Sequence, residues 1–170
     1  MKIIVVGATH AGTFATQQIL TEHPDYEVVV YERNDTLSFL SCGIALWVGD
    51  HVSDPNKMFY SSPEALAKLG ATMCMQHDVL DIDVYGRKVQ VKNLVTGKVE
   101  VHSYDKLVFT PGSAPVVPPI PGIDNPRVYH CTNWADANKL RAHVAQIRPA
   151  IVIGAGYIGA HVVRALAEAG

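Results

Sequence analysis

Cysteine is scarce. Cys42, Cys74 and Cys131 are the only three in 170 residues, an odd number at wide spacing that fits neither a disulfide framework nor a paired-thiol zinc site. A reducing compartment suits such a chain, and a cytoplasmic location is expected. A dominant charge is also lacking. Fourteen Lys and Arg against sixteen Asp and Glu leave a formal charge of −2, so no broad field draws in nucleic acid or an anionic membrane. Neither is expected as a partner. No apolar run reaches the ~18 residues that cross a bilayer, and the short run Ile3 to Val6 ends at Gly7, Thr9 and His10, too early for a secretory signal. The eight histidines show no H-x-x-x-H spacing, and no metal site is expected. What is present is a globular balance, 48% apolar and 18% charged, which can bury a core and excludes general disorder. The length corresponds to about one domain and a fraction at ~150 residues per domain.

Local pattern gives the organisation. Ile3 to Val6 reads as a buried strand that stops at glycine, and Gly12 to Glu22 carries Phe14, Ile19 and Leu20 at roughly helical spacing. Pro24-Asp25-Tyr26 breaks the pattern, and Glu27 to Glu32 (EVVVYE) is a second buried strand. These residues form one βαβ unit, whose parallel strands need a crossover. Within Leu37 to Gly49, Ser41-Cys42-Gly43 opens a short buried helix carrying Ile44, Ala45, Leu46 and Val48. Ser62-Pro63-Glu64 supplies a cap, a first-turn proline and an early acid for a helix through about Leu69. Lys88 to Lys92 and Lys98 to His102 alternate around Thr96-Gly97, the signature of an antiparallel ribbon. Leu107 to Thr110 is a further strand. Prolines at 111, 115, 118, 119, 121 and 126 mark a linker. Trp134 to Arg148 reads as helix, Ala150 to Ile153 as strand, and Gly154 to Gly159 as the start of another helix. The expected fold class is α/β: a Rossmann-like parallel sheet with an inserted antiparallel ribbon, then the start of a second Rossmann unit.

Gly7-Ala8-Thr9-His10-Ala11-Gly12 is a G-x-G-x-x-G variant whose middle glycine is Thr9. Backbone amides of such a loop approach a pyrophosphate where the helix N-terminus favours negative charge. Glu32 stands about 20 residues beyond Gly12, at the end of the next strand, where a carboxylate accepts from ribose hydroxyls. Gly154-Ala155-Gly156-Tyr157-Ile158-Gly159 is the full fingerprint, but no following acid is present. It reads either as a second nucleotide site or as a half-site that holds nothing tightly. Cys42 sits at a helix start, where a dipole favours the reactive thiolate. An apolar setting equally suits an inert core thiol, and the residues alone leave both open. Cys74 and Cys131 are expected to be inert. His10 can donate a hydrogen bond or a proton from within the loop.

Together with Glu32-Arg33, Ser38-Phe39-Leu40-Ser41-Cys42-Gly43-Ile44 and Thr110-Pro111-Gly112-Ser113-Ala114-Pro115, these motifs resemble the flavoprotein disulfide reductase superfamily. The resemblance is to its single-cysteine group, which holds water-forming NADH oxidase, NADH peroxidase and coenzyme A-disulfide reductase. It implies FAD and NADH as cofactors. Residues Gly7 to Gly12 would hold the FAD pyrophosphate, Glu32-Arg33 the adenosine ribose and Val79 the adenine, with Thr110, Pro111, Gly112 and Ser113 on the flavin side. Gly154, Gly156, Ile158 and Gly159 would open the NADH-binding domain, with Tyr157 over the flavin until nicotinamide displaces it. Cys42 would cycle between thiolate and sulfenic acid, with His10 nearby to protonate oxygen intermediates. The substrates would be NADH with oxygen or peroxide, and the full-length protein a homodimer.

The resemblance further divides the chain into a FAD-binding segment at 1–115, a linker and connecting helix at 116–148, and the start of an NADH-binding domain at 149–170. Two positions depart from the family pattern: His161 replaces a glutamate, and Thr132 replaces a lysine common in oxidases. Family members are also much longer, so a fragment or truncated product is expected. The leading expectation is the FAD-binding part of a water-forming NADH oxidase. NADH peroxidase, coenzyme A-disulfide reductase and a non-catalytic nucleotide-binding module are the alternatives.

Overall fold

A computed structural model describes residues 1–146 and 149–169. The elements run β1 (Lys2–Val6), α1 (His10–Glu22), β2 (Glu27–Glu32), α2 (Ile44–Val48), α3 (Pro63–Lys68), β3 (Ala71–Met75), β4 (His77–Asp83), β5 (Lys88–Asn93), β6 (Val99–Ser103), β7 (Lys106–Phe109), α4 (Trp134–His143) and α5 (Tyr157–Glu168). They fall into two compact units, Met1–Phe39 with Phe59–Ser113, and Leu40–Met58 with Ala114–Gly170. No helix among the described residues is long and apolar enough to cross a membrane.

The first unit is built on a four-stranded parallel sheet in the order β3-β2-β1-β7. Its central strands are continuous apolar runs because both faces are covered. Alternation sends Ile3, Val5, Val28 and Val30 to one face, where they pack with Ala8, Leu20, Leu66 and Ala71. Ile4, Val6, Val29 and Tyr31 go to the other face and meet Val89, Val91 and Tyr104. Val89 and Val91 belong to an antiparallel sheet in the order β4-β5-β6. The result is three layers: helices, parallel sheet, antiparallel sheet. The expected α/β class with its antiparallel insertion is present, and the βαβ start is parallel, with Val5 opposite Val30.

Several expectations need correction. The ribbon has a third strand, β4, and β3 joins the parallel sheet although its sequence (ATMCM) shows no clear period. α1 begins at His10 rather than Gly12, and its buried side is Gly12, Thr13, Thr16 and Leu20, while Phe14 is 58% exposed. The two threonines are tolerated there because their hydroxyls donate to the Ala8 and Gly12 carbonyl oxygens, each at 2.8 Å. α3 follows its signals closely: Ser62 caps it by accepting from the Ala65 amide at 3.2 Å.

In the second unit, Ser41–Gly43 forms a 3₁₀ turn leading into α2, which buries Ile44 and Val48 but exposes Leu46. Trp47 stacks on Trp134 with ring centroids 4.9 Å apart, and Arg141 donates to the Val48 carbonyl oxygen at 3.0 Å while pairing with Asp50. Glu168 accepts from Arg164 and meets His51 Nε2, both at 2.7 Å. These contacts, Arg164 foremost, hold its carboxyl below the usual range. The helix expected over Trp134 to Arg148 ends at His143 and tightens into a 3₁₀ turn at Val144–Gln146, as helix ends commonly do. Arg148 lies outside the described residues, as does Gly170. Ala150 to Ile153 is not a strand. A strand is a state of pairing, no described strand pairs with this run, and Ile151 and Ile153 are 88% and 69% exposed.

Tyr31 offers a test of how the two sheets close on each other. Burial first, then Cys74, Glu100 and Glu27, push its phenol from 10.0 up to about 12. The unfolded chain loses this proton near pH 10, so the contribution to stability is complete below that pH and falls as pH rises to about 12. Urea melts across this window should show a steeper loss in wild type than in Tyr31→Phe, with the difference reaching up to about 2 kcal/mol. Equal slopes would contradict this placement of Tyr31.

Candidate functional site

β1 ends at Val6, and the chain turns sharply at Gly7, whose φ of +90° lies in the left-handed region. The Gly7 amide donates to the Tyr31 carbonyl oxygen at 2.8 Å, fixing the loop to the end of β2. A Cβ on Gly7 would lie 2.2 Å from the Thr110 carbonyl oxygen. A Cβ on Gly12 would lie 1.8 Å from the Gly7 carbonyl oxygen. Only glycine at both positions lets α1 sit this close to the strand ends. Thr9, in the middle-glycine slot, is the N-cap of α1 with φ −73°, so a side chain is admitted there without strain. Thr9, His10 and Ala11 are exposed while Ala8 is buried, which leaves the first turn of the helix open at its positive end.

Thr110 closes the loop from β7. Its hydroxyl lies 2.9 Å from the Val6 carbonyl oxygen and 3.0 Å from that of Gly7, and its amide donates to Val6 at 2.9 Å. Pro111 and Gly112 follow immediately: the Pro111 Cα would meet a Gly7 Cβ at 3.3 Å, and a Cβ on Gly112 would lie 3.8 Å from Thr9 Oγ1. Ser113 is exposed at the end of this segment.

Glu32 is 3% exposed and fully engaged with its neighbours. It accepts from the Ala8 amide at 2.6 Å, the Asn34 amide at 2.8 Å and Asn34 Nδ2 at 2.6 Å. A carboxylate has about four acceptor positions, so one is left for a further donor. Asn34, which sequence reasoning missed, carries only the weak signal of being an amide two residues beyond the acid. Arg33 pairs with Asp78 at 2.8 Å, tying the end of β2 to β4, where half-buried Val79 stands opposite Val91.

His10 is not isolated in the loop. Its Nδ1 lies 2.9 Å from the Tyr60 hydroxyl, and the rings stack with centroids 5.5 Å apart and planes 9° from parallel. Tyr60 also stacks on Phe14 at 5.3 Å. Partial burial pushes the Tyr60 phenol up, against an opposite pull from Thr13. Nothing in the sequence around Tyr60 announces this contact across the chain.

In the second unit, Cys42 is free and exposed in the Ser41–Gly43 turn. It lines an open hollow of about 370 Å³ with Leu40, Leu46, His51, Lys57 and Met58. Burial pushes the thiols of Cys74 and Cys131 up, with Asp136 adding to the effect at Cys131. Cys42 is therefore the thiol open to reagents. The second glycine motif repeats the geometry of the first: Gly154 has φ +108°, and a Cβ on Gly159 would lie 1.9 Å from the Gly154 carbonyl oxygen. Gly156 is the N-cap of α5. Tyr157 and Ile158 are exposed, and the Tyr157 ring centroid lies 4.3 Å from that of His161. Thr132 donates from its amide and hydroxyl to Asp136 at 3.1 and 2.5 Å, while Asn133 caps α4. The Asp136 carboxylate thus takes both donors of Thr132 just ahead of the cap.

Gly7 to Gly12, Glu32 and Thr110 to Gly112 are thus brought together within the first unit, while Cys42 and the second glycine motif belong to the second. A strand–glycine–helix turn with an open first turn and a buried acid on the next strand defines a nucleotide-binding α/β protein. A family model described as pyridine nucleotide-disulphide oxidoreductase matches residues 1–170, and the chain belongs to this family. An NADH oxidase of Enterococcus faecalis is 52% identical over 170 residues, covering 100% of this chain and 38% of the relative. The solved structure of a water-forming NADH oxidase from Lactobacillus brevis bound to NADH has a TM-score of 0.98 and 56% identity, covering 100% of this chain and 38% of that one. An NAD(P)H coenzyme A polysulfide/persulfide reductase of Pyrococcus horikoshii is 28% identical over 172 residues, with 99% of this chain and 38% of the relative covered. The chain spans 38% of the length of each.

The Thr110 hydroxyl is the part of this loop most directly tested. Thr110→Val keeps the shape and removes the donor, so stability in urea should fall by about 1–3 kcal/mol, with Thr110→Ser recovering most of it. A loss below about 0.5 kcal/mol, within the range of ordinary surface changes, would contradict its closing role.

Proposed function

We propose that this chain is the FAD-binding N-terminal part of a water-forming NADH oxidase. The observation that carries the cofactor reading is the cradle at Gly7 and Gly12, where backbone meets backbone so closely that no Cβ fits, beside the open first turn of α1. Relatives named NADH oxidase are 52% and 56% identical, against 28% for the coenzyme A-linked reductase, which favours the oxidase over the coenzyme A-linked activity. In this proposal residues 1–115 form the FAD-binding segment, 116–148 the connection and 149–170 the start of the NADH-binding domain.

When bound, FAD supplies the two-electron relay between NADH and oxygen. The amides from Thr9 to Gly12 hold its pyrophosphate, the Ala8 amide being taken by Glu32, and the free acceptor position of Glu32 takes a ribose hydroxyl. Arg33 and Val79 border the adenosine end, and Thr110 to Ser113 border the flavin end. Gly154 to Gly159 receive NADH, and the exposed ring of Tyr157 is what the nicotinamide displaces. Cys42 completes the reduction. Its thiolate attacks a peroxide oxygen, an S–O bond forms as the O–O bond breaks, and the departing hydroxide takes a proton from His10 to leave as water. Two electrons from NADH then return the sulfenic acid to thiolate and release a second water.

Cys42→Ser in the full-length protein tests this division of labour. The variant should still oxidise NADH but release hydrogen peroxide, where wild type releases water. Equal peroxide from both would remove Cys42 from the mechanism, and wild-type NADH turnover without oxygen uptake would overturn the oxidase in favour of a peroxidase or disulfide reductase.

A further inference from the structure

We propose that Tyr60 is a positioning residue for His10: its phenolic oxygen accepts from His10 Nδ1–H, so that only Nε2 exchanges protons. The inference rests on the reading of His10 as the proton donor and deepens it.

His10 stands in the first turn of α1 and is exposed, so nothing about the loop alone would hold its ring in one orientation. Tyr60 does so in two ways. Its ring lies nearly parallel to the imidazole, 9° off with centroids 5.5 Å apart, which restricts the imidazole plane. Its hydroxyl lies 2.9 Å from Nδ1, which distinguishes the two ring nitrogens. Tyr60 is itself held by Phe14 on the next turn of α1, stacked at 5.3 Å and 13°. Three rings therefore form one stack, with the imidazole at its end and one nitrogen tethered.

Proton bookkeeping selects the direction of that tether. A proton donor must be an imidazolium before it acts, and in that state both ring nitrogens carry hydrogen. The 2.9 Å contact then exists only with the phenolic oxygen accepting. Once Nε2 has given up its proton, an Nδ1–H still donating to the same oxygen keeps the contact without rearrangement. The phenol's own hydrogen has an acceptor in the Thr9 carbonyl oxygen at 3.5 Å. Thr13, whose hydroxyl also acts on this phenol, already gives its hydrogen to Ala8 at 2.8 Å. Partial burial keeps Tyr60 in its neutral form, so it orients the imidazole without setting a negative charge beside it. Fixing one nitrogen so that the other does the chemistry is how an orienting partner acts on a catalytic histidine.

The full-length protein with isotope-labelled histidine provides the test, the His10 signals being identified by their loss in His10→Gln. Carbon and nitrogen shifts of neutral His10 should report the Nδ1–H tautomer in wild type. Tyr60→Phe keeps the ring stack and removes the hydroxyl, so the population should move toward Nε2–H, the form preferred by free imidazole side chains in water. Turnover with oxygen should fall about 10-fold, a fraction of the effect of a whole acid–base group, with KM for NADH unchanged. An Nε2–H tautomer in wild type, or an unchanged tautomer in Tyr60→Phe, overturns the proposal, and the first of these does not depend on how Tyr60→Phe folds. The underlying reading fails separately: full turnover in His10→Gln would remove His10 as proton donor whatever the tautomer shows.

Discussion

The close approach of α1 to the end of β1 is the constraint on which the first unit depends. With 1.8 Å between a would-be Gly12 Cβ and the Gly7 carbonyl oxygen, helix and strand meet backbone to backbone. The core side of α1 must then be small or self-satisfied, which is what Thr13 and Thr16 provide by returning their hydroxyls to the helix and loop carbonyls. The same closeness turns the first amides of α1 outward and lets Thr110 reach Val6 and Gly7 with one hydroxyl. Structure and ligand chemistry are here the same fact: the packing that seats the helix leaves its positive end open.

Glu32 shows how one residue serves both purposes. Its carboxylate ties the Ala8 amide to Asn34, bracing the loop from the neighbouring strand, and it retains one acceptor position, which the proposed function gives to a ribose hydroxyl. The second glycine motif repeats the closeness at Gly154 and Gly159 to within 0.1 Å of the first (1.9 against 1.8 Å). This is local geometry that the motif produces without a paired strand before it. The glycines thus specify the turn, and strand pairing is a separate requirement.

That separation explains what was legible in the sequence. EVVVYE could be read to the residue because an apolar run was bounded by turn residues on one side and charge on the other. Ala71–Met75 was not legible, because its strand character comes from lying beside β2. Ala150 to Ile153 reads locally like β1 yet has no described partner, so the same reasoning gave a strand that is absent. The glycines and Glu32 were legible from their spacing as a tight turn and a strand-end acid, whereas Thr110 was singled out only through the family resemblance. Tyr60 and Asn34 were not legible: Tyr60 meets His10 across 50 residues, a contact that only folding creates, and Asn34 has a role only because Glu32 is buried. His161 and Thr132 stood out as departures, and for Thr132 the two donations to Asp136 give a local reason.

The proposed FAD site joins a backbone cradle to a buried acid. It is tested most directly by the visible absorption spectrum of the purified full-length protein, recorded before and after NADH is added in the absence of oxygen. A flavin band that bleaches on addition is predicted. A colourless protein would contradict the cradle as a FAD site, and a band that persists would contradict delivery of hydride from NADH.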